Sequence, residues 1–577
     1  MAAPGVGPRD LIRRVSADSN VETTVDSAQG MLMASELGTP IQEAQSSTID
    51  SDAHPQDEPA LLLEPFVVPP SWLQKSLLSF DGGGIRGYAS LLMLRALMVH
   101  IGRIELGHTK PHNSSYQPCE RPESPKLKTR ATDIDESSLI EYLPCHYFGN
   151  YFPNQISSVL MMLDYIAGTS TGGLIATMLS RWRMSVKECI TQYEIVGSRV
   201  FNTKWRLSVL GFPRSKHSKK PLKAAIKSLA DEKTVTIPGQ SPTSEFEYGK
   251  FPAPPDLCRT IVFAIRKGKT TRNPNESTKK ARPADGTYLF RSYKPVPIDP
   301  YNPPRNYGVD INIKIWKVCR ATTAAPSYFD SQRIGDDEFC DGGAGVNNPT
   351  AEALEEMFRL HKTNVEIAAS FGTGRWWPPS MFREGNNKGV GRLHIGTALG
   401  QVHRLLKNAK GALTDSQTTH HHIQNTARLL EDTDKAFKYY RFNVEERLGK
   451  VKMDEWKDRR DDGDGGKCST LEYIKKCTDE ELSKEEVQAQ LEALATILVA
   501  QRRKRITDDP DMWARFATCV RYKCVADNCR VDGKISYFSL RRELRQHLLT
   551  VHSTPPQSME AELDQRRQWP DFPTGPF

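Results

Sequence analysis

The chain has 577 residues, 78 basic against 70 acidic, a net charge of +8, 11 cysteines and a hydrophobic fraction of 38%. At ~100–200 residues per domain there is room for two to four folded units, and the low apolar fraction leaves part of the chain unpacked. The charge excess is too small and dispersed for a dedicated nucleic-acid binder but suits an anionic membrane surface. The dilute, odd cysteine count excludes a disulfide scaffold, and no run reaches the ~18 apolar residues of a membrane span.

Residues 1–73 are rich in Ser, Thr, Pro and acidic side chains without period, which reads as a disordered leader. No apolar run there is long enough for a signal peptide, and Asp10, Asp18 and Glu22 oppose a transit peptide. The expectation is an intracellular, cytoplasmic protein with peripheral membrane association. Lys75–Phe80 is a short apolar run ending at a glycine cluster, hence a buried strand, and Gly87–Glu105 has the 3.6 period of a helix. The polar, proline-bearing stretch 108–138 reads as a surface insertion. An apolar run over 155–167 leads to a second glycine cluster and a helix from Gly173 to Met184. Asn312–Cys319 alternates like a strand, and Val365–Ser370 is another strand candidate. Strand, glycine turn and helix in repetition make an α/β sheet. A long helix is expected over 479–505, with Leu482, Val487, Leu491, Leu494 and Leu498 on one face. Its end, Gln501–Arg505, has the form of a nuclear import signal, so a nuclear location stays open; basic groups at a helix C-terminus also complement the dipole.

Two glycine clusters carry the chemistry. Gly168-Thr-Ser170-Thr-Gly172-Gly173 is G-x-S-x-G between an apolar run and a helix. Glycines two before and two after Ser170 let the chain turn sharply and expose the hydroxyl, and the next helix aims its first amides there. The pattern arises by chance roughly 0.2 times in such a chain, so alone it also fits a plain glycine turn. Asp81-Gly82-Gly83-Gly84-Ile85-Arg86-Gly87 is far rarer. Bare amides at a helix start form an anion hole, but the spacing is neither that of a P-loop nor that of a dinucleotide fingerprint. Read with Ser170, the amides of Gly83 and Gly84 would hold the alkoxide of an acyl tetrahedral intermediate.

A nucleophilic serine needs a base. His146, His361, His394 and His403 stand in no motif, and His420–His422 form a polar run. The other candidate is Asp341 in Phe-Cys-Asp-Gly-Gly-Ala, which can deprotonate serine only if its pKa is raised. Asp464-Gly465-Gly466 repeats the triplet in a charged loop and reads as solvated.

DGGGIRG, GTSTGG and DGG in this order resemble the patatin-like acyl hydrolases, including their calcium-independent phospholipase A branch. Leu289–Tyr293, Arg320–Phe329, Gly345–Pro349, Ser370–Gly374 and Tyr440–Val444 are similar to that family too, with Thr323 where serine is commoner. The resemblance implies a three-layer α/β domain with a central, mostly parallel sheet. It implies Ser170 as nucleophile and Asp341 as base, with Gly168 and Gly172 framing the elbow. Gly82, Gly83 and Gly84, with Arg86 nearby, would form the oxyanion hole, and no cofactor or catalytic metal is needed. Arg86 would meet a headgroup phosphate or brace the loop. The implied reaction releases fatty acids from lipid esters, phospholipids first, at a membrane surface. Triacylglycerol hydrolysis, transacylation, and a non-catalytic zinc-finger regulatory role are the alternatives. Trp376-Trp377-Pro-Pro-Ser-Met381-Phe382 suits an interfacial anchor or a buried plug, and the basic loops at 214–223 and 265–282 are candidate headgroup contacts or solvated faces.

Near the C-terminus, Cys524 and Cys529 precede Phe538, Leu544, His547 and His552 in the order of a C2H2 zinc finger. Two thiolates and two imidazoles suit tetrahedral Zn. The 17 residues between Cys529 and His547 exceed the usual ~12–15. Leu540, Glu543 and Gln546 would stand at the base-reading positions, and Leu540 offers no hydrogen bond. Specific DNA binding is not expected; a structural role or a protein partner is. The expected organisation is a leader (1–73), a catalytic domain (74–445), a helical extension (446–515), a finger-like module (516–555) and a disordered tail (556–577).

Overall fold

The computed structural model describes residues 67–106, 163–202, 219–232, 249–254, 256–267, 286–294, 306, 313–361, 365–374, 416–433, 436–445, 447–457, 459–461, 465–518, 520–524, 529–531 and 534–568. The insertion at 108–138, the aromatic cluster Trp376–Phe382, most of the two basic loops, His146, His394, His403 and Asp464 lie outside the described residues.

Strands β1 (Lys75–Phe80), β2 (Tyr165–Thr169), β3 (Arg259–Lys267), β4 (Gly286–Arg291), β5 (Gln332–Ile334), β6 (Asp337–Asp341), β7 (Val365–Phe371) and β8 (Lys438–Phe442) form one sheet. Its order is β5-β6-β3-β2-β1-β7-β8, with β4 also on β3. The pairs β3-β2, β2-β1, β1-β7 and β7-β8 are parallel, and β4, β5 and β6 join antiparallel. β1 alternates Leu78 and Phe80 into one core with Leu77 in the other, as the strand period of two requires. The first core is covered by helices Gly87–Leu106, Thr171–Ser180, Val186–Phe201 and Ile315–Thr322, the second by Thr350–His361 and Ser416–Leu429. Helices on both faces bury the central strands, and every residue of β2 is buried.

Several expectations need correction. Asn312–Cys319 is not a strand: Ile315–Thr322 is a helix that buries Ile315, Val318, Cys319 and Thr322. That spacing is i, i+3, i+4, i+7, and the short run Ile313, Ile315 mimicked a period of two. The helix expected over 479–505 is two helices, Thr470–Leu482 and Glu485–Asp508, broken at Ser483 and Lys484. Order begins before residue 74, because Trp72 is buried against Phe516 at 5.7 Å and under the Arg505 guanidinium at 5.2 Å. The tail from 556 is not devoid of order either. Pro556–Gln565 is a helix, and Arg567–Gln568 pairs with strand Arg521–Lys523. Met559 and Leu563 bury against Tyr522, Leu544 and Leu548, completing a core too small to stand without them. Among the described residues no helix is long and apolar enough to cross a membrane.

Candidate active site

Strand register assembles the site. Phe80 lies opposite Gly168, Thr169 opposite Phe263, and Ala264 opposite Asp341. The carboxyl ends of β1 and β2 and the end of β6 therefore meet, each followed by a glycine turn. Ser170 leaves β2 with φ 56° and ψ −126°, a strained backbone for a residue with a Cβ, and the helix Thr171–Ser180 starts at once. Its amide donates to Thr322 Oγ1 at 2.8 Å, and that hydroxyl donates to Phe263 O at 2.6 Å. The elbow needs its glycines for close approach. A Cβ on Gly168 would stand 2.2 Å from Gly172 O, and one on Gly172 would stand 2.4 Å from Phe80 O.

Ser170 Oγ donates to Asp341 Oδ2 at 2.5 Å, and Gly343 N donates to the other carboxylate oxygen at 2.8 Å. Asp341 is buried, and burial pushes its carboxyl up to about 7 against the pull of those two bonds and of the Arg320 charge. A base poised near neutrality can take a serine proton. Arg320 is buried beside it, with Nη2 on Asp330 O at 2.7 Å. Among the described residues no histidine lines this cleft. His361 Nε2 meets the Tyr165 hydroxyl at 2.7 Å at the other end of the sheet, and His420 Nδ1 meets Tyr439 at 3.2 Å.

The loop after β1 is anchored on every side. Arg441 holds Asp81 with two bonds of 2.9 and 2.6 Å and reaches Ser370 Oγ at 2.7 Å. Thr373 Oγ1 donates to Gly82 O at 2.7 Å, Tyr193 donates to Gly84 O at 2.5 Å, and Ile85 N donates to Met453 O at 2.8 Å. Gly82 N donates to Asn347 O at 3.0 Å, so this amide is engaged, contrary to the expected set of three. Gly83 and Gly84 line the cleft, and their amides have no acceptor among the described residues. Arg86, open to a headgroup contact or to bracing the loop, has the surroundings of a brace. It is buried, does not line the cleft, and puts Nε 3.4 Å from Gly83 O, bracing the loop from behind. Burial lowers its pKa to about 10.

The remaining wall is apolar: Leu174, Val196, Val200, Phe201, Leu222 and Phe329 enclose a cavity of about 60 Å³. Sequence reasoning missed Thr322, Asn347, Tyr193, Arg441 and Met453 as supports. Thr322, Asn347 and Arg441 fall within stretches already quoted, whereas nothing marks Met453.

Separately, the ligand atoms of Cys524, Cys529, His547 and His552 lie within 4.8 Å of one another. Cys524 Sγ is 3.2 Å from His552 Nε2, Cys529 Sγ 3.1 Å from His547 Nε2, and the two imidazole nitrogens are 3.2 Å apart. A tetrahedron on Zn–S of ~2.3 Å and Zn–N of ~2.0 Å has edges of about 3.3–3.8 Å, so the donor set fits zinc. Leu544 is buried in the core of the module, while Phe538 is half-buried against the His547 ring at 4.8 Å. Leu540 and Glu543 line a cavity with Trp72, Arg259 and Arg515, while Gln546 is exposed.

The patatin-like phospholipase family model matches residues 156–354. Calcium-independent phospholipase A2-gamma of Mus musculus is 29% identical over 216 residues, 37% of this chain and 24% of the relative. Phospholipase A I of Arabidopsis thaliana is 23% identical over 325 residues, 51% of this chain and 23% of the relative. A cGAMP-activated phospholipase of Escherichia coli is 25% identical over 220 residues, 37% of this chain and 50% of the relative. The matched stretch thus spans about a quarter to a half of these relatives. Both Ser170 and Asp341 fall inside the family match, on a mixed sheet of matching α/β class: the chain carries a patatin-like phospholipase domain, homologous to calcium-independent phospholipase A2-gamma.

Proposed function

We propose that the protein is a serine acyl hydrolase that releases fatty acids from lipid esters, phospholipids first among them, independently of calcium. The observation that carries this is the 2.5 Å bond from Ser170 Oγ to Asp341, in the lining of a mainly apolar cavity beside two amides that have no acceptor among the described residues. Asp341 takes the hydroxyl proton as Ser170 Oγ attacks the ester carbonyl. The carbonyl oxygen becomes an alkoxide and is stabilised by Gly83 N–H and Gly84 N–H. Collapse expels the lysolipid or glycerol oxygen, which regains the proton from Asp341. Water then attacks the acyl-enzyme, Asp341 again accepts a proton, and the fatty acid leaves as Ser170 is restored. The apolar side chains of the wall suit contact with a fatty acyl chain, and the relatives' phospholipase names favour a phospholipid.

The test is fatty-acid release from phospholipid and triacylglycerol vesicles with a calcium chelator present. Wild type should release fatty acid, with phospholipid preferred, and Ser170→Ala and Asp341→Asn should not. Release that persists in Ser170→Ala would overturn the nucleophile.

We infer also that Cys524, Cys529, His547 and His552 hold a structural zinc. Four ligands leave no open position, which suits a folding role rather than catalysis, and the site stands apart from Ser170.

A further inference from the structure

The helix Lys219–Glu232 walls the cleft through Leu222, and its Ala225, Ile226, Leu229 and Ala230 are also buried. Its outer face carries Lys220, Lys223 and Lys227, all exposed and spaced three and four apart, so they form one stripe. The charge order along this helix is inverted. Lys220 and Lys223 lie toward the start, where the macrodipole is positive, while Asp231 and Glu232 sit at the negative end. Residues that work against their own helix mark a surface kept for something other than stability. The neighbouring helix adds Trp316, half-buried, with Lys223 Nζ 5.2 Å above its ring, and an exposed Lys314 at its cap. An aromatic ring among lysines is the composition of a membrane interface.

We propose that this lysine face seats the protein on an anionic lipid bilayer, bringing the wall of the ester cleft onto the surface that holds the substrate. The inference rests on the lipid hydrolase reading. A nucleic acid or acidic protein would also meet the charge, but the same helix lines the cleft, which ties the face to a lipid surface. The cavity of about 60 Å³ is well below the ~300–1,000 Å³ of ligand pockets, so an acyl chain enters only when the wall moves. A helix drawn to the interface carries Leu222 with it and widens the cleft.

The experiment is vesicle sedimentation of the full chain in a Ser170→Ala background, which leaves the lipid intact. Phosphatidylcholine vesicles are compared with vesicles containing phosphatidylglycerol, for that protein and for Lys220→Gln/Lys223→Gln/Lys227→Gln added to it. The same triple change in the active enzyme is assayed on vesicle lipid and on a soluble short-chain ester. At ~1 kcal/mol per lysine near an anionic surface, binding to the phosphatidylglycerol vesicles should fall on the order of a hundredfold. Vesicle hydrolysis should fall with it, and soluble-ester turnover, which needs no surface, should hold. Binding of the triple variant within threefold of its parent would overturn the proposal, as would an equal loss on phosphatidylcholine alone. If wild type cleaves no ester, the hydrolase reading fails, yet the sedimentation result still decides the docking face.

Discussion

Gly84→Ala separates what the oxyanion loop needs for folding from what it needs for chemistry. Gly84 has φ +59°, and a Cβ there would lie 2.1 Å from Met453 O and 2.8 Å from Met453 Cβ. The left-handed backbone costs an L-residue about 1–2 kcal/mol. The clash cannot be absorbed by a side chain, because its first partner is backbone. Relief requires the loop and the Val451–Lys457 strap to part, breaking the bond from Ile85 N to Met453 O and turning the Gly84 amide away from the cleft. Loss of one oxyanion donor costs roughly 10²–10³ in kcat, and a displacement of about 1 Å alone costs on the order of 100-fold. Turnover of a soluble ester should therefore drop by at least about two orders of magnitude, with KM changed far less. Gly335→Ala is the control. Gly335 has φ +57° with nothing within 4 Å of its Cβ position, so it carries the same backbone cost without displacement. It should lower the thermal midpoint and leave kcat alone. If Gly84→Ala keeps kcat within threefold of wild type while losing only the stability that Gly335→Ala loses, the assignment of the Gly84 amide is wrong.

Other consequences follow from the same geometry. Asp341 acts as a base only when ionised, and burial favours its neutral form, so activity is lost as pH falls through about 7. The logarithm of kcat/KM should rise with unit slope below that value and level above it; a profile flat down to pH ~5 would contradict the raised carboxyl. Arg441→Met leaves Asp81 buried without its partner, which should cost about 3–5 kcal/mol in denaturant unfolding, and a loss under about 1 kcal/mol would show that the pair does not hold the loop. Metal analysis of the purified chain should return stoichiometric zinc, absent after Cys524→Ser, with a lowered melting temperature for the C-terminal module; metal-free wild type of unchanged stability would refute the inferred site.

The glycine clusters were legible because they report backbone demands that few residues can meet. Gly168 and Gly172 touch carbonyl oxygens where any Cβ would collide, so the spacing around Ser170 is a direct record of the turn. Asp341 was legible through its own glycines, but its pairing with Ser170 depends on β6 running antiparallel to β3, which no local pattern encodes. The same limit hid Gly82. A Cβ there would stand 2.6 Å from the Asn347 side-chain oxygen, so Gly82 looks like its two neighbours in sequence while its amide is used elsewhere. The helix Ile315–Thr322 reads as a strand because Ile313, Ile315 and Cys319 fit a period of two, and Thr322, which completes the i, i+3, i+4, i+7 face, lies beyond the stretch. Arg441 stood in a quoted stretch, yet only the parallel pairing of β7 with β8 brings it to Asp81.

Residues on both sides of position 445 pack into one core. Sequence patterns locate chemistry by short motifs, and the last of these ends at Val444, but burial does not respect motifs. Leu448 and Val451 pack in the same core as β1 and the helix Gly87–Leu106, together with Leu491, Leu494 and Leu498 of the extension. Met453 then closes on the oxyanion loop, and Trp456 lies 2.7 Å from the Cβ position of Gly197, in the helix that walls the acyl cleft. At the far end of the sheet Arg505 donates to Ser71 O, Gln74 O and Asp164, fastening the extension to the starts of β1 and β2. Its charge is one of those that hold the Asp164 carboxyl down to about 2, against the burial that would raise it. The extension therefore grips the two central strands at their amino ends and the anion-binding loop at their carboxyl ends. A truncation after residue 445 would remove Met453 and Arg505 together, exposing apolar core and stranding a buried carboxylate. The motif-bearing stretch and the extension share one core, and the loop that carries Gly84 is bonded to Met453, some 370 positions further along the chain.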